Sequence, residues 1–152
     1  MVQEIYMACG MGIYFTLIVL GQMIWGGGDV PQLAYAGYAL FIPAAILVIS
    51  SFVSLKHKGK PESGWEPTTV LIDSGVFGIV RHPLYLGAAI FTLGLLFLLQ
   101  SIPSAILGSV AIFSFWMASK KEDAFNIGKF GDGYNEYMKK VPMWNAFKAI
   151  VK

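Results

Sequence analysis

LAYAGYALFIPAAILVISSFVSL, Leu33 to Leu55, is the stretch on which the reading of the fold turns. It carries no charged residue. At about 1.5 Å of rise per residue, a helix of roughly 20 apolar residues crosses a bilayer, and this stretch is long enough. Pro43 lies inside it. A proline there would kink a helix in water, but it is tolerated in a membrane, where neighbouring groups satisfy the freed carbonyl. The stretch therefore predicts a transmembrane helix.

Upstream, Tyr6 to Trp25 is also uncharged and runs into the breaker Gly26-Gly27-Gly28-Asp29-Val30-Pro31. The leading residues MVQEIYMACG lack the basic region of a secretory signal, and the apolar stretch is too long for a signal core, which predicts a retained first span. Trp25 and Tyr35 flank the turn as interfacial anchors. Downstream, Lys56 to Pro83 is polar, charged and rich in Gly and Pro, too long for a simple connection and of the kind that carries function. Apolar sequence resumes from Leu84 to Leu99, breaks at Gln100-Ser101-Ile102-Pro103-Ser104, and continues from Ala105 to Ala118. Each arm is short for a span, so the two read as a tight hairpin whose ends are completed by interfacial residues or local thinning of the bilayer. After Ser119 the chain is polar and basic, and Phe130, Tyr134, Tyr137, Met138 and Val141 recur at helical spacing, predicting an amphipathic tail. Trp144 to Val151 reads as a second interfacial piece.

The whole composition agrees. Of 152 residues 56% are hydrophobic and 13% charged, and the mean hydropathy is +0.63, far too apolar for a soluble domain of this size. All 11 Lys and Arg fall in the middle loop and the tail, and neither hairpin turn has any. Four spans put loop and tail on one face of the membrane, and the positive-inside rule makes that face cytoplasmic. The expectation is one all-α, multi-pass membrane domain over 1–152. Its spans lie near 6–25, 33–55, 84–99 and 105–118, with a re-entrant-like functional loop at 56–83, a tail at 119–152 and both termini in the cytoplasm. The net charge of +2 implies no nucleic-acid partner. Cys9, the one cysteine, sits in the first apolar segment and reads as an inert buried thiol. Gly10 and Gly12 near Gly21, or Gly37 with other small residues, are positions for close helix packing within or between chains.

Two polar clusters remain. Arg81-His82-Pro83-Leu84-Tyr85-Leu86-Gly87 stands where the loop enters the third span, a depth at which ionisable residues suggest function. An interfacial anchor with Pro83 in the first turn of a helix explains the same residues. Lys120-Lys121-Glu122-Asp123 follows the fourth span on the same face, either as a solvated stop-transfer cluster or as a partner of the first. The hairpin brings the two together, so that Arg81, His82, Glu122 and Asp123 can face one another in a headgroup-level cavity. Two His and one Cys are too few and too scattered for a zinc centre, so no metal is expected. His57, in a basic run, reads as a solvated interfacial residue. No glycine-rich phosphate loop lies between a strand and a helix, so any nucleotide-like cofactor would bind without a Rossmann domain.

Read together, LIDSGVFGIVRHPLYLGAAIFTLG (Leu71 to Gly94), Glu122-Asp123 and FGDGYNEYMKKVP (Phe130 to Pro142) resemble the isoprenylcysteine carboxyl methyltransferase family and related membrane phospholipid methyltransferases. The resemblance covers roughly the C-terminal half. The family usually has Glu-Glu where this chain has Glu122-Asp123, and a more branched apolar residue at the place of Phe125. The resemblance implies S-adenosylmethionine as cofactor, S-adenosylhomocysteine as product and a lipophilic or lipidated acceptor entering from the bilayer. It also implies site roles. His82 and the backbone at Pro83 and Leu84 would hold the cofactor's amino acid or ribose, with Tyr85 beside it and Gly87 allowing close approach. Glu122 would contact its cationic end, and Arg81 would orient an anionic acceptor. Tyr134 and Tyr137 would close the pocket from the tail. A prenylated cysteine carboxylate, a phospholipid amine and a small thiol all suit such an entrance. Two other readings stand beside this one. The same architecture resembles the C-terminal part of the NADPH-dependent sterol C14-reductases, and a non-enzymatic adaptor would explain the basic tail without explaining Arg-His-Pro-x-Tyr-x-Gly.

Overall fold

The structure is a computed structural model that describes residues 2–24, 30–59 and 68–145, with the side chains of the first helix described over 5–17. Five helices follow in order: α1 (Val2–Ile24), α2 (Pro31–Lys58), α3 (Pro83–Leu99), α4 (Ile102–Phe130) and α5 (Asp132–Lys140). A 3-10 turn at Gly75–Gly78 lies between α2 and α3, and there is no strand among the described residues.

The helix ends follow local chemistry. Pro31, Pro83 and Pro103 each stand in the first turn of a helix, where a missing N–H costs nothing. Lys56, His57 and Lys58 occupy the last turn of α2, beside the negative end of its dipole. Ser101 caps α4 in a reciprocal box with Ser104. α3 stops at Gln100, which takes the left-handed conformation (φ 45°). The Gln100 side chain then pairs with the Val30 backbone in both directions, accepting from its N–H at 3.1 Å and donating to its carbonyl at 3.0 Å. That pairing ties the α3–α4 turn to the entry of α2.

α4 differs from the sequence expectation. Instead of ending near Ala118, it runs on to Phe130 over 29 residues, about 43 Å. Nothing in KKEDAFNIGKF breaks a helix until Gly131, whose φ of 58° with ψ of −133° only glycine adopts freely. The tail is thus split into a protruding end of α4 and a separate α5.

α3 packs between α2 and α4, and α1 lies along α4 and also touches α3. Along the α2–α3 seam, Gly37, Ala44 and Ser51 are buried at seven-residue intervals, as are Gly87 and Gly94 across from them. A Cβ on Gly94 would lie 2.9 Å from the Gly37 carbonyl oxygen and 2.6 Å from the Phe41 ring. Small residues at this spacing let two backbones touch, the usual solution where no hydrophobic effect drives helix association. Phe41 and Phe91 stack beside the seam, centroids 4.2 Å apart. Phe115 and Ala111 of α4 pack against Tyr85 and Ala89 of α3, and Leu17 of α1 packs with Leu95 and Leu99. Gly37 therefore packs within the chain, Gly10 faces Phe115, and Gly12 has open space.

The outer faces are apolar. Ile42, Ile46, Ile49 and Val53 on α2, and Ile102, Ile106, Val110 and Phe113 on α4, are exposed. These two helices are long and apolar enough to cross a membrane, whereas the apolar part of α1 (Ile5–Leu17) and α3 are shorter. Trp25, the Gly26 to Gly28 turn, residues 60–67 of the middle loop, the packing at Gly21 and residues 146–152 lie outside what is described.

Candidate functional site

The protruding end of α4 stands beside the start of α3. His82 occupies the N-cap position of α3, and Arg81 precedes it. Asp123 lies five residues past Ala118, about 7 Å beyond the apolar part of α4. Although more than forty residues separate them in the chain, Asp123 is the centre to which Arg81 and His82 both converge. Its Oδ1 accepts from His82 Nε2 at 2.7 Å, from the Tyr134 hydroxyl at 2.6 Å and from Arg81 Nε at 3.3 Å. Its Oδ2 accepts from Arg81 Nη2 at 2.8 Å. Facing a carboxylate, the Nε2 of His82 carries a proton. Burial opposes the charge on Asp123, but hydrogen bonds from His82, Arg81 and Tyr134 outweigh it and hold the carboxyl down at about 2.

Arg81 also fastens the tail. Its Nη1 donates to the carbonyls of Met138, at 3.1 Å, and Val141, at 2.7 Å, which close the end of α5. The Arg81 and His82 backbone N–H groups donate to the carbonyls of Pro142 and Met143, and the Trp144 indole donates to Ser119 Oγ at 3.0 Å. Four of the five guanidinium N–H groups are thereby directed at protein acceptors.

In front of this cluster is a polar cavity of about 60 Å³. Its polar lining is Thr68, Arg81, Glu122, Asn126, Tyr134 and Tyr137, and Phe77 lies on its wall. The Tyr137 hydroxyl donates to the Phe77 carbonyl at 2.5 Å. Burial, reinforced by the bond to Asp123, pushes the Tyr134 hydroxyl well above the usual tyrosine range. Burial does the same for Tyr137, partly offset by Arg81. Both are therefore fixed donors at neutral pH. Glu122 is half-buried and has no ion pair among the described residues.

The residues singled out in the sequence thus fall into three groups. Arg81, Glu122, Tyr134 and Tyr137 meet around the cavity. His82 stands behind it, 4% exposed, on Asp123. Pro83, Leu84, Tyr85 and Gly87 do not line it. Tyr85 is buried in the bundle with its hydroxyl 3.9 Å from Met7 Sδ and beside the Glu122 carboxylate, and Gly87 lies against α2, where a Cβ would come within 3.1 Å of the Ala44 carbonyl oxygen. The sequence brings Asp123 to the cavity with Arg81, His82 and Glu122 but assigns it no role, and it offers no signal for Asn126 or Phe77. The structure puts Asp123 behind the cavity, holding Arg81 and His82. Among the described residues no three His, Cys, Asp or Glu side chains gather as metal ligands would.

A sequence profile of the phospholipid methyltransferase family matches residues 33–133, from the start of α2 to the first turn of α5. The chain belongs to that family. The match reaches upstream through the second span, which by itself reads as a generic apolar helix, and it includes Arg81, His82, Glu122 and Asp123. The chain is also 38% identical over 74 residues to the protein-S-isoprenylcysteine O-methyltransferase of Schizosaccharomyces pombe, an alignment covering 48% of this chain and 31% of that protein. The chain spans about a third of the length of that curated relative. No solved structure gives a significant match. The resemblance to isoprenylcysteine and phospholipid methyltransferases is thereby borne out.

Proposed function

We propose that the chain is a membrane-embedded methyltransferase that takes its methyl group from S-adenosylmethionine and passes it to a lipophilic acceptor. Family membership supports methyl transfer. The observation that carries the cofactor assignment is Glu122, an acidic side chain without an ion pair among the described residues, in a cavity that also presents Asn126 and two tyrosine hydroxyls. A carboxylate fits a cationic ligand, and the amide and hydroxyls fit the amino-acid and ribose groups of such a cofactor. The donor set matches the ligand better than the room does: pockets for cofactors of this size run to about 300 Å³ or more, so α5 or the segment around Leu71 and Phe77 has to give way on binding.

When bound, the cofactor supplies a methyl group on a sulfonium. Transfer needs alignment and exclusion of water, not a covalent intermediate on the protein. In this reading Glu122 and Asn126 hold the polar end and Tyr134 and Tyr137 wall it off. Arg81 and His82 hold the tail over the site, and Pro83 starts the helix that places them. The remaining guanidinium hydrogen of Arg81 is what that residue offers an anionic acceptor. The acceptor is a lipid-borne group, such as an isoprenylcysteine carboxylate, a phospholipid amine or a thiol, arriving from the bilayer. The exposed apolar faces of α2 and α4 support a membrane setting; in this reading α1 and α3 span as well, and the Lys and Arg of loop and tail put the cavity and both termini on the cytoplasmic side.

Calorimetry on detergent-purified protein with S-adenosylmethionine, S-adenosylhomocysteine and NADPH tests the assignment. Micromolar binding of both sulfur compounds, reduced at least tenfold in Glu122→Ala, is the expected result. Folded protein that binds neither would end this reading, and NADPH binding in their place would favour a reductase.

A further inference from the structure

The charges around the cavity are unevenly paired. Arg81 and Glu122 are its charged lining residues, and Arg81 is bound from behind by Asp123 at 2.8 Å, with side chains only 9% and 10% exposed. Solvent reaches that pair only slightly. Glu122 has no comparable partner. Lys58, Asp73 and Lys129 do not line the cavity and are exposed, and the two lysines turn to Ser74 Oγ and the Thr68 carbonyl. At physiological salt such exposed charges are largely screened. Arg81 and Asp123 thus form a closed pair, and Glu122 is the charged residue of the lining without an ion pair among the described residues.

We propose that Asp123 is a positioning residue that sets the charge of the cavity: by neutralising Arg81 it leaves Glu122 uncompensated, and the site then prefers a cation to a neutral ligand of the same shape. The inference rests on the methyl-transfer reading, because it takes the sulfonium donor and its sulfide product as that pair of ligands. The two differ by one positive charge and one methyl group. A cavity lined by an unpaired carboxylate holds the donor more tightly and releases the product once the charge has gone. Were Arg81 unpaired, its charge would cancel that of Glu122 and the preference would vanish. The geometry also gives the two partners opposite effects, which a purely structural role would not.

The test measures dissociation constants of S-adenosylmethionine and S-adenosylhomocysteine by calorimetry, and the readout is their ratio. Asp123→Asn leaves Arg81 uncompensated and is expected to lower the preference for the sulfonium by about five- to tenfold, as one charge acts through a partly buried site. Arg81→Gln leaves Asp123 uncompensated and is expected to raise the preference by a similar factor. The double variant Arg81→Gln/Asp123→Asn removes a neutral pair and is expected to return the ratio to within about twofold of wild type, with Asp123→Glu also close to wild type. If both single variants shift the ratio in the same direction, or neither shifts it, Asp123 is scaffold and the proposal is overturned. If Asp123→Asn does not fold, the rise in Arg81→Gln and the return in the double variant decide, and an unchanged ratio in Arg81→Gln overturns it. Wild-type protein that binds neither compound removes the methyl-transfer reading together with this inference, whereas tight binding with a ratio indifferent to both substitutions removes this inference alone.

Discussion

At the scale of single residues, the site depends on a carboxylate that serves other side chains. Asp123 is 7% exposed and receives His82, Arg81 and Tyr134 at once. Buried charges survive only when paired and hydrogen-bonded, and removing one partner from such a set typically costs about 3–5 kcal/mol. Its carboxyl titrates at about 2 in the folded chain against 3.8 for an ordinary Asp, a depressed value, so its contribution is complete above about pH 4 and is lost as the pH falls toward 2. Thermal midpoints followed by circular dichroism in detergent should therefore fall across that window in wild type. The wild-type minus Asp123→Asn difference should shrink toward zero over the same range and stay flat between pH 5 and 8. A difference that collapses near pH 6 would contradict the pairing. Little of this was legible in the sequence. Glu122 and Asp123 are adjacent and equally acidic, yet a helix turns neighbours about 100° apart, so one faces the cavity and the other its back wall. Which is which depends on the register of α4 against α3. The carbonyls of Met138 and Val141 that Arg81 binds have no signature in sequence at all.

At the scale of helices, what was legible is what composition alone determines. Uncharged runs with proline or glycine at their ends marked α1, α2 and α3 closely, because hydropathy and breakers are local properties. Polarity from Lys120 onward does not end α4, because charged residues with good helix propensity continue a helix beyond its apolar part. The seam between α2 and α3 was legible only as a supply of small residues; that Gly37 meets Gly94 follows from packing. The seam makes a sharp prediction. Gly94→Ala places a methyl group against a backbone oxygen and the Phe41 ring and should cost about 1–3 kcal/mol, seen as a lowered thermal midpoint. Gly12→Ala, with nothing within 4 Å, should leave the midpoint unchanged or slightly raised, since alanine is the better helix former. Equal effects from both substitutions would mean that α2 and α3 do not pack as described.

At the scale of the whole molecule, a bundle of helices with apolar outer faces carries its polar chemistry at one end. α3 and α4 are joined tightly by Gln100 and Ser101 at one end, and at the other they spread to hold Arg81, His82 and Asp123, with α5 fastened across. Such a layout suits a reaction between a water-borne methyl donor and an acceptor that never leaves the membrane. The most direct test of that claim is transfer of tritium from methyl-labelled S-adenosylmethionine into the organic-soluble fraction of native membranes, by wild-type protein and by Glu122→Gln. The account predicts label in the lipid phase with wild type and a loss of at least tenfold with the variant. Folded wild-type protein that binds the donor yet leaves the label in the aqueous phase, or a Glu122→Gln variant as active as wild type, would contradict it.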